Sequence, residues 1–348
     1  MSIGKYAVSR DDNVYQAWPD LALTRKGKLV CVFTEVVHHL DRSWSRVVLE
    51  ESVDRGRTWS DRVPLTEETS RWDTGRISRL RDDRLVILCD KAAGPADPGV
   101  DSVTYLWLGD PEGGTWRDPV KLPSTGGMPD KMVELPSGRW VFSDTKANPN
   151  SGYDEQFLWY SDDQGLAWTG PICMAACAGL RLCEASMVPL PDGTLVAFLR
   201  EDSGVGRDCY KAISTDQGES WEGPYQVPLP GCQRPVAGML TSGNIMITYR
   251  FTQGGRRVFG DSMQNFFAAL TDVESAKSRI RCEQSVRIMP IDYDRSAAAD
   301  LGYSGWVQFE DGEIYVVSYI VDDAPKGQIR GYSLREGDFM LPSAPASG

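Results

Sequence analysis

The sequence has few of the residues that most metal and redox sites need. Among 348 residues there are two histidines, which are adjacent, and eight cysteines. The cysteines are too sparse for a disulfide scaffold, and Cys31 and Cys89 lie inside apolar runs that are typical of buried thiols. Cys173 and Cys177 have the spacing of a metal-binding pair, but with two imidazoles in the chain no convincing ligand set forms. We therefore expect neither a metal nor another cofactor.

Long apolar runs and an excess of positive charge are also missing. No run approaches the ~18 apolar residues of a membrane span, and the first residues, MSIGKYAVSRDDN, contain no apolar signal core. The formal net charge of -12 disfavours nucleic acids and acidic membrane surfaces as partners. Together with the free thiols, these features predict a cytoplasmic protein, or a secreted one if a leader has been removed.

What the sequence does have is repetition. The stretch SVDRGRTW, which begins at Ser52, returns as SDDQGLAW at Ser161 and as STDQGESW at Ser214. Each copy has the pattern Ser-x-Asp-x-Gly-x-x-Trp and follows a short apolar or aromatic run. An Asp side chain can cap the N–H groups of a turn, Gly permits a positive φ, and Trp can pack between neighbouring units. The three copies therefore indicate a structural repeat and not a catalytic motif.

A second repeat consists of hairpins spaced about 55 residues apart. In each of six copies, an apolar strand ends at a tight turn and a second apolar strand follows. The turn pairs are Lys26-Gly27, Asp82-Asp83, Ser137-Gly138, Asp192-Gly193, Ser242-Gly243 and Asp311-Gly312. Asp-Gly between alternating apolar runs is a strong hairpin signal, and no long window has helical periodicity.

Short antiparallel sheets repeated at a fixed spacing are typical of a β-propeller, because a ring of blades protects the sheet edges. We predict an all-β fold in which residues 1–348 form a single domain, a six-bladed β-propeller of four-stranded antiparallel sheets. The segment KYAVSR near the N-terminus would supply the outer strand of the last blade and close the ring.

The residues at equal distances from the six turns differ in chemistry. In a propeller, the first strand of each blade lines the central axis, so these positions form rings at one mouth of the channel. The rings contain charged and phenolic residues: Asp20, Arg76, Asp90, Lys131, Glu184, Arg200, Arg234, Arg250 and Tyr303. One interpretation is a solvated channel of mutually satisfied ion pairs. The other is a cationic pocket that surrounds one acid–phenol pair and binds a carboxylate or sulfate group.

These motifs resemble the sialidase (neuraminidase) superfamily of six-bladed propellers with Asp-box repeats, over nearly the whole chain. The stretch EASMVPLPDGTLVAFLR is similar to the superfamily segment with the catalytic Glu and one Arg for the substrate carboxylate, which implies these roles for Glu184 and Arg200. YSGWVQFEDGEIYVVSY resembles the segment that begins with the nucleophilic Tyr, here Tyr303. A neutral Tyr activated by Glu suits an anionic substrate better than a carboxylate nucleophile does.

The chain departs from the superfamily pattern at other positions. Ala17 stands where the first of three substrate-binding Arg residues is expected, and Arg256 and Arg257 are unconvincing matches for the third. The resemblance places the acid in the loop TEVVHHLDRSW, which offers four titratable residues: Glu35, His38, His39 and Asp41. The adjacent histidines are either a surface pair or proton donors, since imidazole titrates near neutrality.

From the resemblance we expect an exo-acting glycoside hydrolase that removes a terminal acidic sugar, of sialate or uronate type, from an anionic oligosaccharide or glycoconjugate. Tyr303 would be the nucleophile, Glu184 its base, and His38, His39 or Asp41 the proton donor. The expected substrate-binding residues are Asp20, Arg76, Lys131, Arg200, Arg234 and Arg250. Two alternatives remain open: a uronate-specific polysaccharide lyase on the same propeller, and a glycan-binding propeller without catalytic activity.

Overall fold

The structure is a computed structural model that describes residues 3–67, 71–92, 102–204, 208–253 and 263–340. These residues form six four-stranded antiparallel sheets, which are the blades of a β-propeller. The predicted fold class is therefore confirmed. The strands of blades 1 to 5 are hydrogen-bonded in chain order, so that each blade starts at the central axis and ends at the outer edge.

The first strand of the chain, β1 (Gly4–Ser9), belongs to the last blade, and blade 1 follows it. Blade 1 contains β2 (Tyr15–Leu23), β3 (Leu29–His38), β4 (Asp41–Ser52) and β5 (Val63–Pro64). Blade 2 contains β6 (Arg76–Arg79), β7 (Leu85–Ala92), β8 (Ser102–Gly109) and β9 (Val120–Lys121). Blade 3 contains β10 (Val133–Glu134), β11 (Trp140–Ala147), β12 (Asp154–Ser161) and β13 (Thr169–Ala175).

The second half of the ring has the same arrangement. Blade 4 contains β14 (Leu182–Pro189), β15 (Leu195–Glu201), β16 (Tyr210–Ser214) and β17 (Glu222–Gln226). Blade 5 contains β18 (Cys232–Met239), β19 (Ile245–Gln253), β20 (Met263–Thr271) and β21 (Arg287–Tyr293). Blade 6 contains β22 (Leu301–Gln308), β23 (Glu313–Ile320) and β24 (Gln328–Arg335).

Helices are short and peripheral in the described part of the chain. There is one α-helix, α1 (Val273–Lys277), and there are two 3₁₀ helices (Arg281–Glu283 and Glu336–Phe339). Asp272 caps α1, since its side chain accepts a hydrogen bond from the N–H of Ser275. None of these helices has the length and apolar character that crossing a bilayer requires.

The N-terminal strand closes the ring. Strand β1 pairs antiparallel with β24, with Tyr6 opposite Gly331, so that blade 6 contains strands from both ends of the described chain. This is the role predicted for the segment KYAVSR. Without β1, the outer edge of β24 would present unpaired N–H and C=O groups.

The three Ser-x-Asp-x-Gly-x-x-Trp stretches form turns with the same hydrogen bonds. In the first, the Ser52 hydroxyl donates to Asp54 at 2.8 Å and accepts from the N–H of Gly56 at 2.8 Å. Asp54 also accepts from the N–H of Thr58 at 2.9 Å. The turns at Ser161 and Ser214 repeat these contacts. The carboxylates therefore cap backbone N–H groups, as the pattern predicts.

Four inner strands begin with the same irregularity. The strand pairing shifts register where β2, β14, β18 and β22 begin, which marks a β-bulge. At these bulges Trp18, Glu184, Arg234 and Tyr303 have φ between 47° and 56°, in the left-handed region that ordinary residues rarely adopt. Such backbone costs on the order of 1–3 kcal/mol for each residue and is concentrated at functional sites. The four bulges lie at one end of the axis.

Candidate active site at the propeller axis

Two bulges bring together the acid and the phenol predicted from the sequence. The hydroxyl of Tyr303, in blade 6, donates a hydrogen bond to Oε1 of Glu184, in blade 4. Both residues are buried, with 1% of Glu184 and 6% of Tyr303 exposed. Because the residues are 119 positions apart in the chain, this contact depends on how the blades are arranged around the axis.

Two arginines surround this pair. One nitrogen of Arg200 lies 2.8 Å from Oε2 of Glu184, and the other lies 2.9 Å from Oδ1 of Asp202. The guanidinium carbon of Arg234 lies 5.2 Å from the ring centre of Tyr303, in cation–π geometry. We call Glu184, Arg200, Arg234 and Tyr303 the axial site.

The arginines determine the protonation of the pair. Burial alone would raise the pKa of Glu184, but the charges of Arg200 and Arg234 outweigh it and lower this pKa to about 2. Burial and the neighbouring carboxylate raise the pKa of Tyr303 above its ordinary value. The site at rest therefore contains a neutral phenol hydrogen-bonded to an ionised carboxylate.

A second buried cluster lies beside the axial site. Nδ1 of His39 is 2.8 Å from Oδ2 of Asp300, and the hydroxyl of Tyr319 donates to Oδ1 of Asp300 at 2.8 Å. Tyr15 donates to the same carboxylate. Trp18 connects the two clusters, since its ring centre is 5.2 Å from that of His39 and 6.4 Å from that of Tyr303.

Protonation in this second cluster follows from its burial. Burial lowers the pKa of His39, although Asp300 opposes the shift, so that the neutral imidazole is favoured near pH 7. The adjacent Arg250 donates to the backbone carbonyl of Leu301 at 3.1 Å, and its charge also lowers the pKa of His39. The carboxylate of Asp300 fixes the orientation of the imidazole, as in other His–Asp pairs.

Three ring residues lie farther from the mouth than expected. Arg76 is fully buried, donates to the carbonyls of Ser304 at 3.2 Å and Pro19 at 3.4 Å, and has its Nε 3.4 Å from Oδ2 of Asp20. The ammonium group of Lys131 lies 2.8 Å from Oδ1 of Asp20. This layer resembles the predicted alternative of mutually satisfied ion pairs, but Arg76 and Asp20 are buried and only Lys131 is partly exposed.

One residue of this layer, Lys131, borders a separate cavity. This cavity, of about 310 Å³, is lined by residues farther along the inner strands, among them Lys131, Gly238 and Trp306. Lys131 lines this second cavity, whereas the predicted cations Arg200, Arg234 and Arg250 lie at the axial site or at the cluster beside it.

The hairpin that joins β3 and β4 contains the other predicted catalytic residues. His38 is exposed and accepts a hydrogen bond from the N–H of Leu40 at 3.2 Å, and the exposed Asp41 accepts from that of Ser43 at 3.0 Å. Glu35 is buried and pairs with Arg46 and Arg62. Arg256 and Arg257 lie outside the described residues. Of the predicted proton donors, only His39 lies beside the axial site.

Sequence reasoning missed a group of residues between blades 1 and 2. Arg42 lies over the ring of Trp18, with 4.6 Å from its guanidinium carbon to the ring centre, and it forms an ion pair with Asp73. Asp73 directly precedes Thr74, which lies at the same distance from its hairpin turn as Glu184 and Tyr303 do from theirs. Aligning the turns could therefore have pointed to Asp73. Asp300 lies three residues before Tyr303, but its contact with His39 had no local signal.

The sequence profile described as a BNR repeat-like domain matches residues 77–316, which is most of the chain. The chain belongs to the BNR repeat-like family. No protein with a curated description matches the sequence.

Solved structures similar to this BNR repeat-like protein share the propeller at low sequence identity. A protein of unknown function from Dyadobacter fermentans has a TM-score of 0.79 and 19% identity, over 95% of this chain and 97% of that one. The Hadza microbial sialidase Hz136 has a TM-score of 0.71 and 14% identity, over 97% and 69%. The α-L-arabinofuranosidase Arb93A from Fusarium graminearum has a TM-score of 0.63 and 11% identity, over 96% and 98%. These structures therefore share the propeller fold of this chain.

Proposed function

We propose that this protein is a retaining glycoside hydrolase that removes a terminal acidic sugar from a glycan. The observation that carries the proposal is the hydrogen bond from the Tyr303 hydroxyl to Glu184, beside two arginines at the axis. A phenol is a poor nucleophile until a base takes its proton, and Glu184 is placed to take it. A neutral nucleophile also avoids the repulsion that a carboxylate would have for an anionic sugar.

The reaction has two steps. First, Oη of Tyr303 bonds to the anomeric carbon, its proton passes to Glu184, and the glycosidic C–O bond breaks with protonation of the leaving oxygen. Second, water attacks the anomeric carbon, the bond to Tyr303 breaks, and the phenolate recovers its proton from Glu184. Two displacements at the same carbon give net retention of configuration.

The arginines connect substrate binding to the strength of the base. Arg200 is shared between Glu184 and Asp202, so an anionic group that binds Arg200 weakens its contact with Glu184. Because that contact lowers the pKa of Glu184, its weakening makes the carboxylate a stronger base when substrate is present. Arg250, one blade further, would complete the anion-binding group.

The test compares two Tyr→Phe variants on nitrophenyl glycosides of sialate, glucuronate and neutral sugars. Tyr303→Phe removes the nucleophile, and we expect turnover to fall by at least about 1,000-fold with the melting temperature unchanged. Tyr249→Phe is the matched control, because its hydroxyl is buried and has no hydrogen-bond partner among the described residues. Full turnover by Tyr303→Phe would falsify the proposed nucleophile. Binding of these glycans by the wild-type protein without cleavage would indicate the non-catalytic alternative.

The neutral, oriented His39 supports a second candidate, a uronate lyase. In β-elimination, a base removes the proton at C5 while the leaving oxygen at C4 takes a proton, and a double bond forms between C4 and C5. A His39 imidazole held by Asp300 is suited to the first task, and Tyr319 lies beside it. The ultraviolet absorbance of the products decides between the candidates, because hydrolysis forms no conjugated double bond.

A further inference from the structure

Hydrolysis at the axial site also needs a proton donor for the leaving oxygen. The exposed His38 and Asp41 belong to the turn of the β3–β4 hairpin, and burial lowers the pKa of the largely buried His39, which favours its neutral form. A donor must carry its proton near the working pH and lie beside the scissile bond. Another residue of the described chain meets both conditions better.

Asp73 lies in the wall of the axial site between blades 1 and 2. Its N–H donates to the carbonyl of Asp90 at 2.9 Å, which fixes it beside the start of β6. Its carboxylate forms an ion pair with Arg42, whose guanidinium covers the ring of Trp18. Arg42 is also close enough to Tyr303 for the two side chains to interact electrostatically. Arg42 therefore lies between Asp73 and the aromatic ring of Trp18, which lines the site.

Asp90 connects the same wall to the nucleophile from the other side. Its Oδ2 accepts a hydrogen bond from the N–H of Met128 at 3.0 Å, and the sulfur of Met128 lies 3.9 Å from the hydroxyl of Tyr303. Asp73 and Asp90 are thus connected to Tyr303 through different residues, Asp73 through Arg42 and Asp90 through Met128.

The environment of Asp73 favours its protonated form. Burial and, next, the charge of Asp90 raise the pKa of Asp73 to about 7, against the opposing charges of Arg42 and Arg71. Its Oδ1 is buried and accepts no hydrogen bond from the described residues, a position that is costly for a carboxylate and tolerable for a carboxylic acid. About 17% of the side chain is exposed, so the residue is not sealed from solvent.

We propose that Asp73 is the proton donor to the leaving oxygen, that Asp90 keeps it protonated, and that Arg42 positions it. The proposal rests on the hydrolase function proposed above. In the first step the proton moves from Asp73 to the glycosidic oxygen as its bond to the anomeric carbon breaks. In the second step the Asp73 carboxylate takes a proton from the attacking water, which restores the acid.

The experiment varies the leaving group while the sugar stays the same. A nitrophenolate is a good leaving group without protonation, whereas an alkoxide must be protonated as it leaves. Turnover by Asp73→Asn should therefore fall about 100-fold to 10,000-fold on alkyl glycosides and far less on nitrophenyl glycosides. Azide should restore turnover of the nitrophenyl glycoside by Asp73→Asn and yield a glycosyl azide. Asp12→Asn, at an exposed site outside this wall, is the control for the same chemical change.

A second variant tests the proposal without removing the acid. Asp90→Asn removes the negative charge that raises the pKa of Asp73, so the alkaline limb of kcat/KM should move to lower pH. A purely structural role for Asp90 would lower activity without moving this limb.

The outcomes separate this proposal from the function on which it rests. If the wild-type protein cleaves no glycoside, the hydrolase function fails and the role of Asp73 fails with it. Suppose instead that the wild-type protein is active, that Asp73→Asn loses turnover equally with both leaving groups, and that Asp90→Asn leaves the alkaline limb of kcat/KM in place. In that case the hydrolase function stands and the proton donor is another residue.

Discussion

The carboxylate of Glu184 has almost no contact with water and keeps its charge because of the arginines around it. Only 1% of the residue is exposed, and Arg200 lies 2.8 Å from Oε2. Removing one partner of a buried ion pair usually destabilises a protein by about 3–5 kcal/mol, because the other charge is left without compensation. The pair is thus a source of pH-dependent stability in addition to its proposed role in catalysis.

We predict that Glu184 makes the stability of the folded protein sensitive to acid. Its pKa is about 2 in the folded state, below the ordinary value of 4.5, so its contribution is present above pH 4.5 and is lost as the pH falls toward 2. The contribution amounts to about 3 kcal/mol at most. Urea unfolding of the wild-type protein and Glu184→Gln between pH 7 and pH 2 measures it. The difference in the free energy of unfolding between the two proteins should decrease as the pH falls from 4.5 toward 2. A constant difference would contradict the prediction.

The sequence could predict those residues of the axial site whose positions follow from counting back from the turn of their own hairpin. Glu184 and Tyr303 lie at the same distance from the turns of their own hairpins, so aligning the turns placed them together. The count was less useful for Arg76 and Lys131. Both lie two residues farther along the chain than the position aligned with Glu184, in a deeper layer where Asp20 takes up their charge.

The contact between His39 and Asp300 could not be predicted in the same way. It joins the tip of a hairpin in blade 1 to the segment before β22, 261 residues later. No periodicity relates these two segments, because neither belongs to the repeated part of a blade. The same reason explains why Arg42, in that hairpin, was not recognised as a partner of Asp73.

Among the elements, the hairpins and the Asp-containing turns were the most predictable, because both depend on neighbouring residues alone. The short outer strands were less predictable. Strands β5 and β9 have two residues each, too few for an alternating pattern to be recognised. Their positions are set by pairing with β4 and β8, a tertiary effect.

We predict that two glycines with similar backbone angles respond differently to alanine. Gly27 has φ of +86° and open space around it, so Gly27→Ala should cost about 1 kcal/mol for the left-handed backbone. Gly56 has φ of +79°, and a Cβ there would lie 2.2 Å from the ring of Tyr315. Gly56→Ala should cost about 1–3 kcal/mol more, because the packed ring must move. Equal losses in urea unfolding would show that Tyr315 can move away freely.

At the scale of the whole molecule, the ring depends on the pairing of β1 with β24. Because each blade packs against two neighbours, an opening at blade 6 also weakens the positions of β2 and β22, from which Trp18 and Tyr303 extend. The geometry of the axial site is in this sense a property of the closed ring and not of any single blade.

We therefore predict that deleting the chain through Ser9 lowers stability and promotes self-association. The deletion leaves the edge of β24 unpaired, and such an edge is available to another chain. The melting temperature should fall, and size-exclusion chromatography should show larger species. A deleted protein that elutes and melts like the wild-type protein would indicate that β1 contributes little to closure.

The layer of Arg76, Asp20 and Lys131 affects how molecules enter and leave the axial site. Arg76 and Asp20 are fully buried, so we expect whatever enters at the Tyr303 end to leave by the same opening. In the proposed hydrolysis, the two fragments of a cleaved glycan would then depart through a shared entrance, one after the other. The fragment held more tightly by the guanidinium groups leaves last, and its accumulation should slow the enzyme in competition with fresh substrate.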